Sequence, residues 1–537
     1  MRTHPDPRVL LAAALALLAT PPAWPGVPAD LDAYVARVRR EFRVPGISVA
    51  VVKDGEVVVA KGYGIRREGE PAPVDENTLF GIASNTKAFT CAALAILAEE
   101  RELSWDDPVT RHLPEFQMRD PWVTREVTVR DLVTHRAGLG RGAGDLMWWP
   151  PTDFSRAEIV RGIRHLEPSS GFRSGYAYNN VMYVAAGEVV TRVAGLRWDD
   201  YVRRRILEPL GMDRTTTSVS PPGRAANVAS PHLVVAGAVV PIAPMKFDNA
   251  AAAAGLSSSA ADLARWVRML LECAVAGESG AAGTCVLGAA SIRQMWTGQT
   301  VQPTTRPKPI AVLEPRLAAY GLGFGLVDDR GRKVVSHTGG LPGYVSRVTL
   351  VPEERLGVVV LTNQEAGAAF HAVTHHVLDG FLGVPGTPVD WVDAFREVEE
   401  ASAARAKETV RKDAAARHQG TRPSLDLTDY AGVYRDPWYG DVRASVEAGH
   451  LVLDLTRTEG MIADLEHWHH DTFVARWRGT FMSDDAPYDA YVTFGLGRDG
   501  NVEEVTLAPV SPAIDFSFDF QDLRLAPVPE EAAAARP

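Results

Sequence analysis

The hydrophobic pattern changes period after the first helix, and this change predicts a helix followed by a sheet. Residues 30–43 place apolar side chains on one helical face, and Pro45-Gly46 ends that helix. Residues 47–52 and 56–60 are rich in β-branched side chains and flank the turn sequence Lys53-Asp54-Gly55. These two runs therefore predict a β-hairpin.

A second pair of β-rich runs lies far along the chain. Residues 346–351 and 356–361 flank Pro352-Glu353-Glu354-Arg355 and predict another hairpin. Residues 90–330, between the hairpins, have mostly helix and loop patterns. We therefore expect an α/β (α+β) domain in which both ends build one antiparallel sheet, flanked by helices, with a helical region inserted between them.

The pattern changes again toward the C-terminus. Residues 389–418 predict a charged, Ala-rich helix, and residues 419–423 break it with Gly and Pro. From residue 425 to residue 526, short alternating runs are separated by Gly, Asp and Pro. This pattern predicts an all-β domain of about 100 residues, a small barrel or sandwich that folds as a separate unit.

The N-terminus has the pattern of a signal peptide. Arg2 and Arg8 precede an apolar run at residues 9–19, and small residues follow up to Ala23. This run is too short to span a bilayer, which needs about 20 residues, and no later segment approaches that length. We expect an exported protein, periplasmic or secreted, without a stable membrane span.

Composition agrees with a globular protein of several domains. The chain has 537 residues, 46% of them hydrophobic and 23% charged, and a formal net charge of −11. Acidic and basic residues are interspersed, so we expect no nucleic-acid partner. Cys273 and Cys285 flank a small-residue loop that a disulfide could close, whereas Cys91 fits a buried apolar position.

Candidate chemistry begins at Ser84-Asn85-Thr86-Lys87, where an extended segment meets an apolar helix. Residues 88–100 contain no Gly or Pro and are rich in Ala, Leu and Ile. Helical spacing puts the Ser84 hydroxyl and the Lys87 amine on one face, with Cβ atoms about 5–6 Å apart. A partly desolvated lysine can take the serine proton and make the hydroxyl a nucleophile. A serine N-cap followed by an exposed lysine would give the same spacing without chemistry.

Two further motifs, taken together with this tetrapeptide, favour a catalytic role for Ser84 and Lys87. Tyr178-Asn179-Asn180 follows it, and His337-Thr338-Gly339-Gly340 comes after a strand-like run at residues 331–336. The three elements in this order resemble the signature of the serine β-lactamase and penicillin-binding-protein superfamily. The resemblance is closest to the class C β-lactamase-related serine hydrolases, which include esterases and D-aminopeptidases.

The resemblance extends beyond the three motifs. Shorter segments that resemble the family lie at residues 127–139, 206–212, 255–258, 346–352 and 362–363. Together they cover roughly residues 30 to 385, and they imply a β-lactamase/transpeptidase-like fold with its active site in a groove between sheet and helical region. Tyr430-Ala431-Gly432-Val433-Tyr434 resembles the start of the lipocalin-like β-domain found on some of these hydrolases.

The resemblance implies catalytic roles for three residues. Ser84 would attack the substrate carbonyl and hold the acyl group, and Lys87 would help to remove its proton. Tyr178 would act as base and then as acid, with its pKa lowered from about 10 by nearby ammonium groups. Whether Lys87 or Tyr178 takes the first proton is left open.

The resemblance also implies a set of substrate contacts. Asn180 would hydrogen-bond the substrate amide or Lys87, and the backbone N–H groups of Ser84 and Gly340 would form the oxyanion hole. Glycines would let substrate lie against the strand backbone there. The predicted substrate-binding residues are Asn180, His337, Thr338, Gly339 and Gly340.

His337 departs from the pattern of enzymes that cleave penicillins, which usually carry a lysine there to bind the substrate carboxylate. A histidine with a pKa near 6.5 is largely neutral at pH 7. We expect a serine hydrolase that cleaves small esters, amides or D-amino-acid peptides through an acyl-enzyme, without cofactor. The alternatives are a β-lactamase or DD-peptidase, and a non-catalytic penicillin-binding-like capture protein. An inert core role for His337 also stays open.

Other candidate residues point to no metal site. His371 and His375 share a helix face, and His467, His469 and His470 cluster, but neither set has a third ligand at useful spacing. We expect solvated or capping histidines there. Trp148 and Trp149 fit either an acyl pocket or buried packing.

The predicted organisation is therefore a signal peptide (1–23), a serine hydrolase domain (30–385), a charged helix and linker (386–424), an all-β lipocalin-like domain (425–527) and a flexible tail (528–537). The expected partner is a small-molecule or short-peptide substrate. The oligomeric state is not predicted.

Overall fold

The computed structural model describes residues 25–220, 227–275, 285–383 and 388–529. The predicted signal peptide and nearly all of the predicted tail lie outside these ranges. The described strands are β1 (Gly46–Lys53), β2 (Glu56–Gly64), β3 (Phe80–Gly81), β4 (His232–Val235), β5 (Ala238–Pro241), β6 (Ser257–Ser258), β7 (Thr300–Val301), β8 (Ala318–Tyr320), β9 (Gly325–Asp329), β10 (Arg332–Leu341), β11 (Tyr344–Val351), β12 (Leu356–Thr362), β13 (Gly432–Asp436), β14 (Gly440–Glu447), β15 (His450–Leu455), β16 (Ile462–His469), β17 (Thr472–Trp477), β18 (Ala490–Leu496), β19 (Val502–Pro509) and β20 (Ala526–Pro527).

The described α-helices are α1 (Leu31–Glu41), α2 (Thr86–Glu99), α3 (Val109–His112), α4 (Pro121–Glu126), α5 (Val129–Leu132), α6 (Arg156–Gly162), α7 (Val181–Ala194), α8 (Trp198–Val202), α9 (Ala251–Ala254), α10 (Ala260–Val275), α11 (Ala289–Met295), α12 (Gly367–Leu382) and α13 (Trp391–Ala416). None of the helices in the described ranges is long and apolar enough to cross a membrane.

Both ends of the first domain contribute to one eight-stranded antiparallel sheet, as the sequence predicts. The strand order is β2-β1-β12-β11-β10-β9-β8-β7, so the two predicted hairpins, β1–β2 and β11–β12, lie side by side. Strand β12 is buried along its whole length because helices cover both faces of the sheet. The mixed fold with an inserted helical region is confirmed.

Two apolar layers lie on opposite faces of this sheet. The front layer contains α2, α7 and α10 and includes Phe89 stacked on Trp266. The back layer contains α1, α12 and the start of α13. Alternate residues of β10 and β11 therefore point to different layers, which decides which side chains can reach a site at the sheet edge.

Half of strand β10 has a free edge. Strand β9 pairs only with residues 332–336 of β10, whereas β11 pairs with residues 335–341. The loop Pro342-Gly343 has two residues, so Leu341 and Tyr344, which flank it, form a hydrogen-bonded pair. Because such pairs alternate along antiparallel strands, the backbone groups of odd-numbered residues of β10 bond to β11. The backbone groups of Thr338 and Gly340 consequently face the open edge.

The C-terminal domain is a single antiparallel sheet of eight strands that nearly closes. The order is β19-β18-β17-β16-β15-β14-β13-β20, and a bridge between Val505 and Leu525 links its two ends. Alternate residues point inward, among them Tyr434, Phe473 and Phe494. This near-barrel fits the predicted lipocalin-like domain.

The two domains share a buried core. Trp438, Tyr439 and Phe518 of the β-domain belong to the same apolar cluster as Met147 and Phe154 of the helical region. Arg457 of the β-domain also forms ion pairs with Asp153 and Glu158. This changes the expectation that the β-domain folds as a separable unit, because separation would expose apolar side chains on both sides.

Cys273 and Cys285 form a disulfide, with Cα atoms 5.9 Å apart. The sequence left this pairing open. Cys91 is free and buried, as expected from its place on the apolar helix α2.

Candidate active site

Ser84 lies where an extended segment turns into α2. Ala83–Asn85 form a 3₁₀ turn, and Ala83 has a left-handed backbone with φ of 49°. Such strain costs about 1–3 kcal/mol and persists only where neighbours fix it. Ser346 on β11 does so, because its hydroxyl donates to the Ile82 carbonyl and accepts from Asn85 Nδ2, both at 2.8 Å. The nucleophile position is therefore built by the sheet as well as by the helix.

Lys87 is fully buried, and its amine touches the predicted nucleophile. Its Nζ lies 3.0 Å from Ser84 Oγ, 2.7 Å from Asn180 Oδ1 and 3.0 Å from the Ala253 carbonyl. Burial lowers the pKa of Lys87 to about 7. A neutral amine has two hydrogens, which the two carbonyl oxygens accept, so its lone pair faces the Ser84 hydroxyl. This arrangement makes Lys87 suitable as the first base.

Tyr178 also reaches the nucleophile, but its pKa moves in the opposite direction from the prediction. Its side chain lines the same cavity as Ser84, close enough for Ser84 to influence its pKa, and its ring centroid lies 4.8 Å from Lys87 Nζ. Burial raises the pKa of Tyr178 well above 10, and this outweighs the effects of Ser84 and Arg141. The expected lowering by ammonium groups is wrong because desolvation dominates, and the phenol at neutral pH is a proton donor.

Asn180 connects Lys87 to a buried carboxyl group that the sequence did not point to. Its Oδ1 accepts from Lys87, and its Nδ2 donates to Asp145 Oδ2 at 2.7 Å. Asp145 is fully buried and also accepts from Trp148 Nε1 at 2.9 Å. Burial raises the pKa of Asp145 to about 7, although Lys87 and the hydrogen bonds oppose the shift. Asp145 therefore fixes the orientation of the Asn180 amide.

The C-terminal domain completes this hydrogen-bond network. The Ser517 hydroxyl donates to Asp145 Oδ2 at 2.8 Å. Asp519 accepts from the backbone N–H groups of Gly144 and Leu146, at 2.6 and 3.0 Å. Phe516 packs edge-on against Tyr178, with ring centroids 5.9 Å apart. A loop of the β-domain thus forms one wall of the site.

The free half of β10 forms the opposite wall. A Cβ atom on Gly339 would collide with the Ile82 carbonyl, so only glycine lets the strand approach the turn before Ser84. A Cβ atom on Gly340 would meet nothing within 4 Å, and its N–H faces the open edge. The Gly340 N–H group is therefore not used in the pairing of β10 with β9 or β11. Its role with the Ser84 N–H group in an oxyanion hole stays a prediction.

His337 is buried beside this edge and lies in a chain of hydroxyl groups. Its Nδ1 lies 2.6 Å from the Thr338 carbonyl, and its Nε2 lies 3.0 Å from the Tyr320 hydroxyl. Burial, assisted by Lys87, lowers the pKa of His337 to about 3, so the imidazole is neutral at pH 7. It contributes no fixed charge to the site. Tyr320, which the sequence did not single out, orients it.

A cavity of about 1040 Å³ opens onto this site. It is lined by Ser84, Tyr178, Asn180, His337, Thr338 and Gly340 from the predicted set; Lys87 and Gly339 lie behind that surface. Trp148 and Trp149 are buried and also line the cavity, and their use as an acyl pocket stays a prediction. His135, also buried, packs against Tyr178 and Tyr320, and its Nε2 has no hydrogen-bond partner in the described chain.

The two remaining groups of histidines differ in burial: His467, His469 and His470 are partly exposed or exposed, as expected, whereas the pair on α12 is more buried than expected. His375 is buried and His371 is partly buried, and both pack against Phe395 on the back face of the sheet. His418 and His470 contact each other at 3.0 Å on the surface of the β-domain. No group of three or more His, Cys, Asp or Glu side chains in the described ranges is arranged to hold a metal ion.

Two curated proteins are similar to this chain over most of its length. The unguisins hydrolase ungD′ of Aspergillus campestris is 29% identical over 437 residues, 77% of each chain. Protein flp of Staphylococcus aureus is 25% identical over 343 residues, 62% of each chain.

Solved structures show the same fold. The octameric penicillin-binding protein homologue from Pyrococcus abyssi superposes with a TM-score of 0.59 at 24% identity, covering 92% of this chain and 99% of that one. SurE superposes with a TM-score of 0.53 at 19% identity, covering 93% and 98%.

Two family matches account for most of the chain. Residues 416–527 match the family described as Domain of unknown function (DUF3471). Residues 31–379 match the family described as Beta-lactamase, which covers more than half of the chain, and the protein therefore belongs to the beta-lactamase family of serine hydrolases and penicillin-binding-like proteins.

Proposed function

We propose that this protein is an exported serine hydrolase that cleaves small esters, amides or D-amino-acid peptides through an acyl-enzyme on Ser84. The single observation that carries the proposal is the contact of the buried Lys87 amine with Ser84 Oγ at 3.0 Å. Two carbonyl oxygens fix that amine, and its pKa of about 7 leaves much of it unprotonated at neutral pH. A scaffold that only binds ligands has no need for this arrangement.

The groups at the site define a proton path for acylation. Lys87 takes the Ser84 proton as Oγ bonds to the substrate carbonyl carbon, and the N–H groups of Ser84 and Gly340 stabilise the negative oxygen. The protonated Lys87 and the Tyr178 phenol then deliver a proton to the leaving oxygen or nitrogen. A water molecule reverses the path, releases the acid and restores Ser84.

Two observations support export. The N-terminal pattern is that of a signal peptide. The Cys273–Cys285 disulfide is typical of proteins that leave the reducing cytosol.

The shape and charge of the site support the choice of substrates. His337 is neutral and cannot supply the ammonium that penicillin-cleaving enzymes use, which favours short esters and amides over β-lactams. Phe516 and the Trp148–Trp149 pair confine the cavity beside Ser84. Among relatives, two Aspergillus proteins are named unguisins hydrolases, and one SurE structure contains D-Leu. Both names are reasons to include D-amino-acid substrates in a first test.

The proposal is tested by labelling and by a substrate panel on one preparation. A fluorophosphonate probe should modify Ser84, and a short nitrophenyl ester should be hydrolysed faster than a chromogenic cephalosporin. D-amino-acid anilides test the peptide branch of the proposal. Ser84→Ala should abolish labelling and turnover, with losses up to about 10⁶ in kcat.

Ser402→Ala, on the exposed face of α13, is the matched control and should behave like the wild type. Full activity in Ser84→Ala would contradict the mechanism. Labelling without turnover of any substrate would favour the capture-protein alternative.

A further inference from the structure

The cavity that contains Ser84 does not end at the sheet. It passes the free edge of β10 at Thr338 and Gly340 and continues into a chamber behind the sheet, lined by α12, α13 and the loop at residues 302–317. Thr338 and Arg347 are paired across β10 and β11, so both side chains lie on this back face. The catalytic mechanism uses none of the chamber.

Arg347 brings an unneutralised positive charge into the chamber. Its Nε donates to Thr349 Oγ1 at 3.0 Å, and its Nη1 lies 3.3 Å from His371 Nδ1. Within the described ranges, no carboxylate forms an ion pair with it. Asp329, whose charge raises the pKa of Arg347, is itself held by Arg330 through two hydrogen bonds of 3.0 and 3.1 Å.

The other charged groups that line the chamber do not cancel the positive charge of Arg347, so the chamber favours an anion. Burial lowers the pKa of Arg347 to about 10, and the positive charge of the nearby Arg306 contributes to the same shift. Arg347 therefore stays charged at neutral pH. Glu399 lines the same space, but burial raises the pKa of its carboxyl group, which accepts from the Ala368 N–H at 3.1 Å.

The walls around these charges are apolar. Ile310, Leu313, Leu378, Phe395 and Val398 line the chamber together with the two arginines. An inorganic ion would leave these surfaces in contact with water. A ligand with an apolar chain and a terminal carboxylate matches both features, because Arg binds carboxylates by paired hydrogen bonds.

We infer that the chamber behind β10 binds the remote carboxylate of the substrate's acyl group at Arg347. The preferred substrates are then esters or amides whose acyl chain carries a terminal carboxylate, and this inference rests on the proposed function of Ser84. The path is short: Gly340 and Thr338 lie about 6.6 Å apart along the strand, and Arg347 is the direct neighbour of Thr338. An extended acyl chain of a few carbons can cover this distance.

The test compares nitrophenyl half-esters of dicarboxylic acids, from succinate to sebacate, with their methyl-capped counterparts. The wild type should prefer the free carboxylate at one or a few chain lengths, measured as kcat/KM. Arg347→Gln should lower this preference about 10- to 100-fold, as expected for a lost charged hydrogen bond, and Arg347→Lys should retain part of it. Arg316→Gln, an exposed change in the same loop, should leave the preference unchanged.

Two kinetic results would overturn the inference. One is turnover of the capped esters with no preference for a free carboxylate at any chain length. The other is an equal loss on both series in Arg347→Gln, which would mean that Arg347 is only structural.

A binding measurement separates this inference from the proposed function. Pimelate, which has no bond to cleave, should bind the full chain in calorimetry, bind at least about tenfold more weakly to Arg347→Gln, and inhibit capped-ester hydrolysis competitively. Binding of pimelate through Arg347 without turnover of any ester would refute the proposed hydrolase function and still support a carboxylate site in the chamber. Absence of binding, or non-competitive inhibition, would refute the chamber as a substrate site.

Discussion

Replacing Asp145 by asparagine is expected to move the onset of hydrolysis to lower pH. Lys87 must lose its proton before it can accept that of Ser84, so kcat/KM should rise with pH through the pKa of Lys87, about 7. Asp145, when ionised, stabilises the protonated amine and so raises that pKa. The amide of the Asp145→Asn variant has no charge, and the amine would therefore lose its proton more easily.

The size of the effect follows from the geometry. The Asn180 amide separates the two groups, with hydrogen bonds of 2.7 Å on each side. Unit charges about 6–7 Å apart at an effective dielectric near 20 interact by about 2.5 kcal/mol. One pH unit corresponds to about 1.4 kcal/mol. The rising limb of the pH profile, where kcat/KM increases with pH, should therefore move to lower pH by about one to two units.

The assay measures kcat/KM for a short nitrophenyl ester between about pH 5 and about pH 9, in steps of roughly one unit, on both sides of the pKa of Lys87. Ser517→Ala should move the limb in the same direction by less, because the Ser517 hydroxyl favours the ionised form of Asp145. Asp499→Asn, in an exposed turn of the β-domain, is the matched control and should leave the limb in place.

Two results would refute this reasoning. A limb that stays in place in a folded Asp145→Asn variant would mean that Asp145 is uncharged or that another group titrates. A limb that moves upward would mean that the amide hydrogen bonds, and not the charge, control the amine.

Three further outcomes are expected. Tyr178→Phe and Lys87→Ala should each lower kcat at least about 10², and the double variant should lose less than the product, since both act on one proton path; additive losses would contradict the shared path. His337→Lys should shift kcat/KM from short esters toward a carboxylate-bearing cephalosporin, because an ammonium about 4 Å from a carboxylate is worth a few kcal/mol at an effective dielectric near 20; an unchanged ratio would show that another cation already binds the carboxylate. A chain ending at Arg417 should aggregate or fail to react with fluorophosphonate at Ser84, because Phe516 and its neighbours no longer cover the site; a soluble, reactive fragment would restore the separable domain.

Local patterns were sufficient to predict much of the fold and the centre of the site. Hairpins β1–β2 and β11–β12 follow from β-branched runs around turn residues, which act over a few positions. Ser84 and Lys87 are neighbours by helical spacing alone. Tyr178 and Asn180 could be assigned only through the family resemblance, since nothing local places them beside Ser84.

The residues that were missed act across long sequence separations. Ser517 lies 372 positions from Asp145, and Asp519 lies 375 positions from Gly144. Neither belongs to a motif, and a serine or aspartate in a β-domain loop has many ordinary uses. Only the docking of the two domains brings them to the site.

The predicted lowering of the pKa of Tyr178 was wrong for a related reason. Charge neighbours can be guessed from motifs, but desolvation depends on how completely the final structure excludes water. In this site the cover is supplied by a loop of another domain, which contributes Phe516 and Ser517.

The β-domain therefore bears on the pKa of the proposed base, Lys87, in two opposed ways. Its Phe516 packs against Tyr178, whose ring lies over Lys87, and burial lowers the pKa of that amine. Through Ser517 it favours the charged form of Asp145, which raises that pKa again. Because an amine with an ordinary pKa of 10.5 would be about one part in a thousand unprotonated at pH 7.5, the first effect must dominate for hydrolysis at neutral pH. The second effect keeps the amine close to its titration point, where it can both accept the Ser84 proton and return it to the leaving group.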